Sequence, residues 1–210
     1  QTIIFSCLST PIILILIPVG RWVLSTAWLS EGEMAQAQIY LTILMAGSVL
    51  DLFRQSFNGY FGGLGKTRVV LLSTFAMAIA NVCANYILIF GKLGFPAMGI
   101  MGAGYGTLFA WFVGLVTLCV VYFKQIKFSE YQLLKSFQLD IVILKKLVRF
   151  GLASGLRITL LIFAIDLMIL AFQSYGVEVS TAITVIFTWF QTLFIPVIGL
   201  EIGTMSLAGR

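Results

Sequence analysis

The chain has 210 residues, 60% of them hydrophobic and 10% charged, with a formal net charge of +5. A mean hydropathy of +1.05 excludes an ordinary soluble domain, and it excludes disorder, which requires low hydrophobicity and high net charge. The positive balance does not imply a nucleic-acid partner, because Lys and Arg lie between apolar runs and form neither a cluster nor an aromatic–basic stripe.

Six stretches are long enough to span a bilayer, at about 1–25, 34–58, 67–91, 99–123, 141–172 and 178–207. The alternating strands of a closed barrel are absent, so the fold class is all-α, a polytopic membrane protein. Breaks are expected at Glu31-Gly32-Glu33, Gly62-Gly63-Leu64-Gly65, Gly94-Phe95-Pro96 and Tyr175-Gly176. The first span opens at Gln1, already apolar, without a starting Met or a charged n-region. No signal peptide is read there, and a piece of a longer membrane protein is expected.

On the second span Ser48, Asp51, Gln55 and Asn58 recur at helical spacing on one face, and Arg54 is placed to neutralise Asp51. The pair is either a helix anchor at the membrane end or part of a functional stripe. On the third span Thr74, Asn81 and Asn85 share a face; membrane asparagines bridge helices or offer oxygens to a cation. After the fourth span, residues 124–140 mix Lys, Glu, Gln and Ser with Phe, Tyr and Leu, and read as an interfacial amphipathic segment. They mark the boundary between two helical groups, and Asp140 is an N-cap candidate for the fifth span.

On the fifth span Gly155, Thr159, Asp166 and Gln173 follow one stripe. Asp166 lies about nine residues beyond Arg157, roughly 180° around and about 13 Å along the helix, so the two cannot pair within it. A carboxylate in this setting costs about 2.5–3.5 kcal/mol on insertion scales and requires a partner, a proton or a cation. On the sixth span Thr181, Thr184, Thr188 and Gln191 form a polar face above Pro196, and Glu201 follows, either buried or interfacial. Gly59/Gly63, Gly102/Gly106, Gly151/Gly155 and Gly199/Gly203 have the small-residue spacing of close helix crossings.

Ten basic residues fall on one side of the membrane: Arg54, Lys66, Arg68, Lys124, Lys127, Lys135, Lys145, Lys146, Arg149 and Arg210. Arg21 and Lys92 fall on the other, and Arg157 lies within the fifth span. The positive-inside rule makes the first side cytoplasmic and puts both chain ends there. There is no histidine, and Cys7, Cys83 and Cys119 are isolated in apolar runs. No nucleophile–base pair or metal set is available, so a non-enzyme is expected, with no catalytic residues, no metal site and no covalent cofactor. Gly65-Lys66-Thr67 is not a phosphate loop, because Tyr60 stands where that motif needs glycine and no strand precedes it.

Several stretches together resemble the multidrug and toxic compound extrusion (MATE) family, in its NorM-like branch. The clearest is Asn81-Val-Cys-Ala-Asn85-Tyr-Ile-Leu-Ile-Phe-Gly91, followed by Pro96, Gly99, Gly102, Gly104, Gly106 and Thr107. Ala35 through Leu41 resembles the start of the family's fourth helix, and Gly63 through Arg68 the turn after it. Leu144 through Arg157 resembles the seventh helix, and Pro196 through Arg210 the eighth.

The resemblance implies helices three to eight of a twelve-helix, two-lobe transporter. Residues 1–123 would belong to the N-terminal lobe, 124–140 to the inter-lobe loop and 141–210 to the start of the C-terminal lobe. It implies antiport by alternating access, in which a sodium ion or proton enters and organic, often cationic, compounds leave. The implied setting is the bacterial inner membrane, with the bilayer and small organic substrates as partners and a monomeric full-length protein. Where proton-coupled relatives carry an acid, this chain has the amide Asn85. Where NorM-like relatives carry one, it has an apolar position near Leu161, and its acid is Asp166 instead. Read from the polar stripes and not carried over from the family, the candidates for ion coupling or substrate contact are Asp166, Asn81, Asn85, Thr159, Thr188, Gln191, Asp51 and Glu201. The alternative within the superfamily is a lipid-linked oligosaccharide flippase, which needs a cationic cavity that only Arg54 and Arg157 offer.

Overall fold

A computed structural model describes residues 2–25, 31–125, 140–173 and 175–208, with the backbone alone at 125, 173, 177, 180, 198 and 201–208. Six helices follow one another: α1 Thr2–Ser25, α2 Glu31–Gly63, α3 Thr67–Phe90, α4 Ile100–Gln125, α5 Ile141–Gln173 and α6 Val177–Ala208. No strand occurs among the described residues. The first five helices are long and apolar enough to cross a membrane, and α6 carries an apolar stretch over Thr181–Val197. The chain is a multi-pass membrane protein, all-α as its composition requires. Most of the expected interfacial segment, residues 126–139, lies outside the described residues.

The chain divides into two compact units, residues 1–139 and 140–210. In the first, α1 packs on α2, α2 on α4 and α4 on α3, so the spatial order is α1–α2–α4–α3. The second unit is the hairpin of α5 and α6.

The helix ends follow local chemistry. The helix α2 runs through Glu31-Gly32-Glu33 and on to Gly63, both expected to bound it from outside. Glu31 and Glu33 occupy its first turn, where carboxylates complement the helix dipole. The stop is Gly65, with φ of 68°, where the Lys66 amide turns back to donate to the Phe61 carbonyl at 2.9 Å. At the end of α3, Gly91 takes φ of 66° and its amide donates to the Ile87 carbonyl. A Cβ there would stand 2.6 Å from the Ala97 nitrogen, so this turn requires glycine twice over. The Met98 amide then closes the loop on the Leu88 carbonyl at 2.9 Å. Asp140 caps α5 as its position suggested, accepting from the Val142 and Ile143 amides at 2.9 and 3.1 Å. Pro11, Pro18 and Pro196 all lie inside continuous helices.

Candidate functional site

In the first unit several polar side chains are turned into the bundle and matched there. The Arg54 Nε donates to Asp51 Oδ1 at 2.7 Å, and its Nη2 lies 2.6 Å from the same oxygen. Arg54 is only 7% exposed. Its stem crosses to Gly114 of α4, where an added Cβ would lie 3.0 Å from Arg54 Cδ and 3.5 Å from Met77 Cβ of α3. Beside this point the Ser73 hydroxyl donates to the Gly114 carbonyl at 2.9 Å. Three helices thus converge on one small residue, and the guanidinium sits among them rather than snorkelling to the surface. Its charge is committed to Asp51, which withdraws it from any cationic cavity lining.

Between α1 and α2, the Ser6 and Ser56 hydroxyls meet at 2.7 Å, where one donates to the other, and the remaining proton has backbone carbonyls in reach, Leu52 and Thr2 for Ser6 or Thr2 for Ser56. Both residues are buried. A hydroxyl pair of this kind fixes the register of two apolar helices that water cannot drive together inside a bilayer.

Asn81 and Asn85 share one face of α3, and the Asn85 amide donates to Asn81 Oδ1 at 3.1 Å. Asn85 Oδ1 is buried without a hydrogen-bond partner. It lies over Gly106 of α4, where a Cβ would be impossibly close to that oxygen, and one at Gly102 would stand 2.6 Å from the Leu88 carbonyl oxygen. Of the four glycine pairs singled out in the sequence, this one makes a close crossing among the described residues; Gly59, Gly63, Gly151, Gly155 and Gly199 face open space. Thr74, on the same stripe, is exposed and spends its hydroxyl on the Val70 carbonyl at 3.0 Å.

In the second unit Thr159, Asp166, Thr188 and Gln191 are all exposed. The Thr188 hydroxyl donates to the Thr184 carbonyl at 2.8 Å. Asp166 makes no ion pair among the described residues, and Arg157, exposed on the same helix, does not reach it. The side chain of Glu201 lies outside the described residues. The candidates therefore fall into two separate sets: Asp51, Asn81 and Asn85 in the first unit, Thr159, Asp166, Thr188 and Gln191 in the second. Within the first set, Asp51 is paired to Arg54 on α2, while the Asn85 amide faces α4. The Ser6–Ser56 clasp and the Gly114 junction have no signal in the sequence. Single serines and a lone glycine in apolar runs carry no pattern that singles them out.

Residues 1–87 match the MatE family model. The chain is 31% identical over 183 residues to a "Probable multidrug resistance protein NorM" of Halalkalibacterium halodurans, covering 83% of this chain and 40% of that protein. A protein of the same name from Thermotoga maritima is 29% identical over 198 residues, 86% of this chain and 39% of the relative. The "Uncharacterized transporter YisQ" of Bacillus subtilis is 28% identical over 185 residues, 87% of this chain and 40% of the relative. The chain thus spans about 40% of the length of the curated relatives it matches. No solved structure matches it.

Proposed function

We propose that this chain, a MATE-family, NorM-like sequence, forms part of a secondary transporter that exports small organic compounds in exchange for a sodium ion or proton. Its proposed setting is the bacterial inner membrane, with its basic loops cytoplasmic, and the whole protein works as a monomer. Alternating access would carry the exchange, with ion and substrate each favouring a different state.

The observation that carries this reading is the carboxylate of Asp166. It stands in an apolar stretch about 10 Å from the C-terminal end of α5, and no cation among the described residues neutralises it. A carboxylate left so in a membrane takes up a proton or binds a cation, and an acid that fills and empties couples an ion gradient to a conformational change. Thr159 on the same helix, with Thr188 and Gln191 on α6, supplies further oxygen donors for an ion or a polar substrate group, and Glu201 stays a candidate on the sequence alone. Asn81 and Asn85 are candidates in the first unit, and the unpartnered Asn85 oxygen supports that assignment. Asp51 serves chiefly to hold Arg54.

The test is Asp166→Asn in the full-length protein, assayed by efflux of a fluorescent organic cation from proteoliposomes under imposed sodium or proton gradients. Gradient-driven efflux is expected to disappear while membrane insertion and thermal stability stay normal. Efflux at the wild-type rate would remove Asp166 from the mechanism, and the gradient that drives the unmodified protein identifies the coupling ion.

A further inference from the structure

The first unit holds an open cleft of about 490 Å³ between α1, α2 and α4, walled by Ile39 and Ile43 and edged by Arg21, Gln38, Thr42 and Tyr105. It lies where α1 ends and α2 begins, at the opposite end of the bundle from Lys66 and Arg68. Arg21 stands about 6 Å along the axis from the last residue of α1, Ser25. Trp22, next in the chain, and Tyr105, across the cleft, are both exposed. Indole and phenol rings near helix ends mark the depth of lipid head groups.

The chemistry of the cleft is one-sided. Arg21 Nη2 donates to a neutral acceptor, Gln38 Oε1, at 3.3 Å, and forms no ion pair among the described residues. That bond leaves the Gln38 side-chain nitrogen as a further donor. The Thr42 hydroxyl already donates to the Gln38 carbonyl at 2.7 Å, which fixes this turn of α2. The edge thus offers a guanidinium, an amide N–H pair and a phenol, with no carboxylate lining it. A planar fork of N–H donors matches phosphate oxygens. The isoleucine walls suit the glycerol and first methylenes that follow a phosphate in a lipid.

We propose that this cleft binds phosphate, as the head group of an anionic phospholipid in the leaflet opposite the basic loops. The site is independent of the transport reading, because none of its residues belongs to the coupling set. The test is native mass spectrometry of the full-length protein released from nanodiscs of equal phosphatidylglycerol and phosphatidylcholine. The unmodified protein is expected to retain phosphatidylglycerol selectively. Arg21→Gln should lower that retention about tenfold and Tyr105→Phe about threefold, as loss of charged and neutral hydrogen bonds requires. Lys92→Gln, which removes the other basic residue assigned to this side, should leave it unchanged. Displacement of the lipid by millimolar inorganic phosphate would reassign the site to a soluble phosphate and overturn the lipid source. Unchanged retention in both Arg21→Gln and Tyr105→Phe would overturn the site itself; Tyr105→Phe is isosteric and keeps that outcome readable if Arg21→Gln fails to fold.

Discussion

The two units use polar residues in opposite ways. In the first, Ser6, Ser56, Ser73 and Arg54 are buried, and each is spent on a neighbouring helix or on Asp51. In the second, Thr188 and Thr192 bond their own helix, and Asp166 and Gln191 stand exposed. Buried polar groups in a membrane are costly unless paired, so the first unit's set reads as glue for helix packing. The second unit is a single helix hairpin in which these side chains stand exposed, and the chain spans about 40% of the length of the relatives it matches.

Matched substitutions in the two units break or sharpen that contrast. Gly102→Ala should have the largest effect, because its methyl would meet the Leu88 carbonyl, part of a helix backbone that cannot step aside. A loss of about 3 kcal/mol or failure to fold is expected, read by fluorescence-detected size exclusion on heating. Gly155→Ala, which meets nothing within 4 Å, should change stability by less than about 0.5 kcal/mol. A large loss there would show that another segment packs on that face of α5.

Next in size is the pair on α2. Arg54→Gln leaves Asp51 charged and half-buried without its partner, and should cost about 2 kcal/mol. The matched change in the second unit, Arg157→Gln, should cost little, because that side chain is exposed and unpaired with any acid among the described residues. Thermal unfolding of Arg54→Gln, Asp51→Asn and the double variant separates the pair's coupling from the cost of an orphaned charge.

Ser6→Ala and Ser56→Ala should give the smallest losses in the first unit, each lowering stability by about 0.6 kcal/mol, in the range measured for hydrogen bonds between membrane helices. Their double variant should cost less than the sum, because either substitution alone already breaks the shared bond. Strict additivity in thermal unfolding would mean that the two hydroxyls do not act as a pair.

Much of this was legible in the sequence. Helix positions followed from apolar run lengths, and the Asp140 cap and the Asp51–Arg54 pair followed from spacing alone, because both are local interactions within one helix or its first turn. The glycine pairs were only partly legible. The same four-residue spacing occurs at Gly102/Gly106, which seats α3, and at Gly151/Gly155, which faces open space. Spacing states that a close approach is permitted, and the neighbour decides whether it happens.

The chain's composition by itself determined a helical membrane protein, since a backbone in lipid must bond within its own segment wherever no closed sheet is available. Only the tertiary structure decided that α4 lies between α2 and α3, that Arg54 is buried at Gly114, and that the Asn85 oxygen is pressed on Gly106 without a partner. These depend on contacts between residues far apart in the chain, and periodicity within one helix carries no information about which helix will face it.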